Sequence, residues 1–141
     1  MKALFSFEHL EVWKLSRAFC NRIHLILQKF PDSEKFNLIS QIQRASTSIA
    51  LNIAEGCSRS SFKEQARFTE VAYGSLMETY CSILLASDFG YLEEEGFTEL
   101  SNAISELSNK LNALRNSQLK RANNTSTIKQ LNNKTTQQLN N

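Results

Sequence analysis

QIQRASTSIALNIAEG, residues 41–56, carries two patterns on one helix. With Leu38 in front of it, the apolar positions Ile42, Ala45, Ile49 and Ile53 follow spacings of 4, 3, 4 and 4, the period of a helix with one buried face. Between them Gln41, Arg44, Ser48, Asn52 and Glu55 recur at 3, 4, 4 and 3. At about 100° per residue this polar line falls within an arc of roughly 80° beside the apolar face. A polar row on the flank of a core must find partners across a helix–helix seam, because a half-buried amide or charge without one is destabilising. The stretch therefore predicts a packed helix, beginning near Ser33–Phe36 and closed by Gly56 in a left-handed C-terminal turn.

The same period extends outward on both sides. From Glu8 to Lys29, Val12, Phe19, Ile23, Ile26 and Phe30 form one stripe, ended by Phe30-Pro31-Asp32 because proline disfavours helix in the residue before it. After the loop Cys57–Ser60, Ser61-Phe62-Lys63-Glu64 has the form of a capping box, and a helix is expected from there to about Phe89, with Gly90 closing it. A fourth helix begins between Glu93 and Thr98. In it Phe97, Leu100, Ile104, Leu107, Leu111 and Leu114 alternate at 3 and 4, a heptad seam.

Only four glycines and one proline occur in 141 residues, too few for a strand-rich fold with its frequent turns. The 41% apolar content is enough for one core. The expected fold is all-α, an antiparallel up-down-up-down four-helix bundle over residues 1–117. From Gln118 the chain turns to Asn, Gln and Thr, with LNN occurring twice. Residues 118–141 are expected to form a disordered, low-complexity tail, read as translated simple-repeat DNA rather than a ligand arm. The bundle holds 12 Lys+Arg against 14 Asp+Glu, a net −2, and the tail adds four cations and no acid.

Several function classes find no support. No apolar run reaches the roughly 20 residues of a membrane helix, and MKALFSFEHLEVWK lacks the apolar core of a signal peptide. Cys20, Cys57 and Cys81 form no CxxC pair, and a reduced, cytoplasmic protein is expected. His9 and His24 have no His or Cys at i+3 or i+4, so no metal is expected. There is no glycine-rich phosphate loop and no nucleophile elbow. Cys57 beside Arg59 is read as a passive loop thiol, and Glu64, Glu70 and Glu78 as solvated or paired helix carboxylates. No enzyme activity, cofactor or small-molecule substrate is expected.

Three candidate sites remain. Gln41, Arg44, Ser48, Asn52 and Glu55, with partners such as Glu78 on the third helix, are expected to set helix register. Phe62, Tyr73, Met77, Tyr80 and Leu84 form a second apolar row beside the core face of the third helix, an interface for a second copy of the chain. Lys14, Arg17, Arg59, Lys63 and Arg67 are the candidates for contact with nucleic acid. Opposite them stands the acidic run Asp88, Glu93, Glu94, Glu95, Glu99 and Glu106, with no Lys or Arg between 88 and 109.

FEHLEVWKLSRAF (7–19), QIQRASTSIALNIAEG, FKEQARFTEVAYGSLMET (62–79) and SDFGYL (87–92) together resemble the four-helix-bundle proteins encoded in intervening sequences of bacterial 23S ribosomal RNA. That family is similar to the accessory variability proteins of diversity-generating retroelements, which form pentameric rings and work with a reverse transcriptase and its RNA. The resemblance implies a homo-oligomer, a pentamer by that likeness, with RNA or a reverse transcriptase-like nucleoprotein as partner. Two readings follow. One is an oligomeric adaptor that touches RNA or a polymerase. The other is a self-assembling protein-interaction scaffold with no nucleic-acid contact.

Overall fold

The computed structural model describes residues 1–140. Four α-helices account for most of them, with no strand among the described residues: α1 (Glu11–Leu27), α2 (Leu38–Cys57), α3 (Phe62–Asp88) and α4 (Glu94–Leu139). Short 3-10 turns at Ser6–His9 and Asp32–Glu34 lead into α1 and α2. Each helix packs on the next in sequence, and α1 also meets α4, so the four enclose one core.

The apolar stripes fill that core. Val12, Phe19, Ile23, Phe30, Ile42, Ile49 and Ile53 are buried, as are Leu100, Ile104, Leu107 and Leu111 of the heptad seam. On α3 the buried line is Ala72, Leu76, Thr79, Ile83 and Ala86. Burial of each large aliphatic side chain contributes roughly 1.5–3 kcal/mol, and this seam drives the assembly of helices that would be marginal alone.

Helix ends follow local chemistry in two places. Ser61 caps α3, its hydroxyl accepting the Glu64 amide at 3.1 Å. Beyond Asp88, Gly90 sits at φ +80°, a left-handed position that favours glycine, and ends the helix. Gly56 behaves differently from the expected left-handed terminator. It lies inside α2 with helical backbone and is buried, and a Cβ added there would stand 2.9 Å from Cβ of Phe68. Glycine is present because α3 comes this close.

The disordered tail expected from Gln118 does not occur. Residues 118–139 continue α4 without a break, so the helix does not stop at 117, and Asn141 lies outside the described residues. Three physical reasons account for the difference. Helix continuing from a packed turn needs no new nucleus, so only the small propagation cost per residue remains. No glycine or proline interrupts the stretch. Its hydroxyls are occupied by the carbonyl four residues earlier, as Thr125 is by Arg121 (2.9 Å) and Thr136 by Asn132 (2.9 Å), and so do not bond the backbone in the turns that compete with helix. The first turn is also anchored: Gln118 is buried, and its side-chain oxygen accepts from Thr69 Oγ1 at 2.7 Å.

Candidate functional site

The polar line on α2 lies along the α2–α3 seam. Ser48 Oγ and Ser75 Oγ share a hydrogen bond of 2.9 Å, and Asn52 Nδ2 donates to both the carbonyl (2.8 Å) and the hydroxyl (2.9 Å) of Ser48. Gln41 donates its amide to the Glu78 carboxylate, and Arg44 donates in turn to the Gln41 side-chain oxygen. Arg44 is exposed and its bond is to its own helix, whereas Gln41 and Ser48 make the cross-helix contacts. Glu55 turns instead to Arg59, at 3.0 Å. On α3, Ser75 and Glu78 meet the line, whereas Arg67 pairs with Glu64 (3.4 Å) and Glu70 with Arg115 of α4 (2.8 Å).

The second apolar row of α3 is divided by its neighbours. Tyr73 and Tyr80 are half-buried against the core, and the Tyr73 hydroxyl lies 3.5 Å from Ser108 Oγ. Phe62 has the Arg121 guanidinium over its ring, 5.6 Å from the centroid. Met77 and Leu84 stay in solvent, 37% and 40% exposed, with Cys81 and Leu85 beside them. Gly74 is exposed, with open space where a Cβ would be.

Among the basic candidates, Arg59 and Arg67 lie over the same ring, Phe68, at 4.6 and 5.5 Å from its centroid. Their carboxylate partners Glu55 and Glu64 offset part of that charge. Lys63 is exposed one turn away. Lys14 and Arg17 line an open groove of about 1260 Å³ between the N-terminal segment and α1, together with Lys2, Phe7 and Trp13. There the Phe7 and Trp13 rings meet edge to face at 5.0 Å, and Arg17 lies over Trp13 at 5.6 Å. Glu8 fixes this segment by accepting the amides of Leu4 and Phe5, both at 2.7 Å. Those two backbone bonds hold its carboxyl below the ordinary range. Phe68, Phe7 and Trp13 were missed as partners of the cations; an aromatic a few residues from a basic residue was the available signal.

Neither thiol with a raised pKa is an activated nucleophile. Burial pushes Cys20 and Cys57 up, and Cys20 donates to the Ser46 carbonyl at 3.2 Å. No cluster of three or more His, Cys, Asp or Glu side chains able to hold a metal occurs among the described residues. No helix there is long and apolar enough to cross a membrane.

The family model described as 23S rRNA-intervening sequence protein matches residues 8–113, three of the four helices and the first part of the fourth. The chain belongs to that family. A solved structure from Bacteroides thetaiotaomicron VPI-5482, described as a protein with unknown function from the S23 ribosomal protein family, is similar to it. The two share 25% identity with a TM-score of 0.69, over 74% of this chain and 97% of that one. No curated protein matches the chain. Within the family fold, the α2 line and the Phe68 cluster both lie inside the matched region. The last turns of α4, from residue 114 on, lie beyond it.

Proposed function

We propose that the protein is a non-enzymatic oligomeric adaptor whose basic end engages RNA or a nucleoprotein partner of the reverse-transcriptase type. The observation that carries this reading is the separation of charge along the bundle. Contact pairs support an up-down-up-down course: Gln41 with Glu78 and Ser48 with Ser75, then Glu70 with Arg115 and Tyr73 with Ser108, then Arg22 with Glu99. In the first two sets one number rises as the other falls, and the third brings α1 beside α4. That order gathers the start of α1, the end of α2 and the start of α3 at one end, with Lys14, Arg17, Arg59, Lys63 and Arg67. Asp88, Glu93, Glu94, Glu95 and Glu99 stand at the other. A phosphate chain is drawn to the first end and repelled from the second.

Self-association through the outer side of α3 belongs to the same reading. Met77 and Leu84 are exposed there beside the open backbone of Gly74, with Tyr73, Tyr80 and Phe62 at the margin. A closed ring, a pentamer by the likeness to the retroelement accessory proteins, would repeat the basic end and turn a small patch into a multivalent one. The adaptor is assigned to the cytoplasm.

The scaffold reading, without nucleic acid, is favoured by a different observation: Arg59 and Arg67 already have carboxylate partners in Glu55 and Glu64. Titration of a labelled structured RNA over a salt series separates the two. The adaptor requires log affinity to fall linearly with log salt, and Arg59, Lys63 and Arg67→Ala to flatten the slope by about 2, at ~0.7–0.9 per phosphate contact. Absence of binding at low salt would leave the scaffold.

A further inference from the structure

The last part of α4 has no carboxylate. After Glu106 the sequence contains six Lys or Arg and neither Asp nor Glu, and from 118 onward its polar residues are otherwise Asn, Gln, Ser and Thr. As coil, such a stretch would be a loose cationic tether. As helix, it is a rod that carries these groups about 33 Å past residue 117, at ~1.5 Å per residue. Its root lies against the cationic end of the bundle, where Arg121 covers Phe62. Between the start of α3 and this rod runs an open groove of about 500 Å³, lined by Ser60, Ser61, Lys63, Asn123, Ser126 and Lys129 among others. Each of those six side chains can donate a hydrogen bond, and no carboxylate lines the groove.

Two kinds of occupant compete for such a rod. A second helix of this chain would need an apolar seam. The seam that holds α4 in the bundle, continued at 3 and 4, meets Gln118, Arg121, Thr125, Ile128, Asn132, Thr135 and Leu139. Only two of those seven are apolar, too few to hold a coiled coil. A phosphate chain needs cations and donors with no competing acid, which this stretch supplies along its whole length. At about 100° per residue, Lys120 and Lys134 share one side of the helix and Lys129 stands on the opposite one. Phosphates are therefore met from two sides, as when the helix lies between strands of a folded RNA.

We infer that residues 118–139 of α4, with the adjoining groove at Ser60–Lys63, form a surface that follows the phosphate backbone of RNA. This rests on the adaptor reading and moves the main contact from Arg59 and Arg67, which are internally paired, to Lys120, Arg121, Lys129 and Lys134, for which no carboxylate partner occurs among the described residues. The direction is opposite to a tail without a ligand: the helix gives the repeat-like sequence a fixed geometry.

The test is the full chain against the same sequence with Lys120, Arg121, Lys129 and Lys134→Gln, glutamine being a good helix former that removes charge without breaking the rod. Binding of a labelled RNA hairpin is measured across a salt series, with mass by light scattering in parallel. The inference expects the salt slope to fall by about 3, at ~0.7–0.9 per lost contact, with helicity and mass unchanged. Lys129 and Lys134→Gln, in the stretch beyond the core, should lower it by about half as much even if the fourfold variant folds poorly. Wild-type-like binding by both variants would overturn the inference and leave the adaptor standing. A fall in mass with binding intact would also overturn it and assign the rod to self-association. No binding by the unaltered chain would remove both.

Discussion

Replacing Gly56 by alanine separates this structure from a generic helical hairpin. A helix-ending glycine would lose stability on substitution through backbone strain, but Gly56 has helical backbone, so the intrinsic effect of alanine is a small gain. The new methyl, however, would stand 2.9 Å from Cβ of Phe68 and 3.5 Å from the Gln65 carbonyl oxygen. Phe68 Cβ is fixed to the α3 backbone and cannot swing aside, so α3 itself must move by several tenths of an ångström. Overpacking of this kind costs about 1–3 kcal/mol. The propensity gain near the end of a helix offsets a few tenths of that, leaving a net loss of about 1–2 kcal/mol. With a urea m-value of ~1–3 kcal/mol/M, the midpoint of unfolding should fall by about 0.3–2 M, followed by circular dichroism at 222 nm. Gly96→Ala is the control, because a Cβ there meets no atom within 4 Å; its midpoint should hold or rise. A Gly56→Ala midpoint at or above wild type, with an unchanged m-value, would refute the close approach of α2 and α3.

Three further outcomes are expected. Thr69→Val leaves the buried Gln118 oxygen without its 2.7 Å donor and should cost about 1–3 kcal/mol; adding Gln118→Leu should recover most of it in a double-mutant cycle, and additive losses would contradict the pairing. The carboxyl of Glu8 is held below its ordinary value of 4.5 by the Phe5 and Leu4 amides, so its contribution is present above that value and lost as pH falls through the lower folded one. Emission of the lone Trp13, packed on Phe7, should show an acid transition below pH 4.5 that Glu8→Gln removes; identical titrations would contradict it. Under a thiol reagent at neutral pH, exposed Cys81 should react first, with Cys20 and Cys57 lagging because burial raises them, and a faster Cys57 would oppose the passive assignment.

What the sequence disclosed was what depends on near neighbours. The 3–4 alternation of Leu100, Ile104, Leu107 and Leu111 places all four in the core, the hydroxyl of Ser61 caps α3, and Gly90 takes the positive φ that its position suggested. Effects that act across space were hidden. Gly56 follows an apolar run, which looks like a stop, yet its role comes from Phe68 on another helix. Arg121 reaches Phe62 across 59 positions of sequence, so a ring read as free for a second copy is partly covered. For residues 118–139 composition measured how little they could bury, but a helix already nucleated on the core propagates without that burial. Of the polar line, Ser48 and Gln41 make the cross-helix bonds through residues foreseeable by spacing, while the turn of exposed Arg44 back to Gln41 on its own helix depends on rotamers that spacing does not encode.

The central claim of the proposal is assembly through the outer side of α3, since repetition would turn a modest basic end into a multivalent one. Light scattering on the full chain at micromolar concentration measures it directly. The account predicts a mass several times the 16.0 kDa of one chain, five times for a closed pentamer, reduced to a folded single chain by Met77→Glu and Leu84→Glu together. A 16.0 kDa particle in the unaltered protein, indifferent to those two changes, would contradict it.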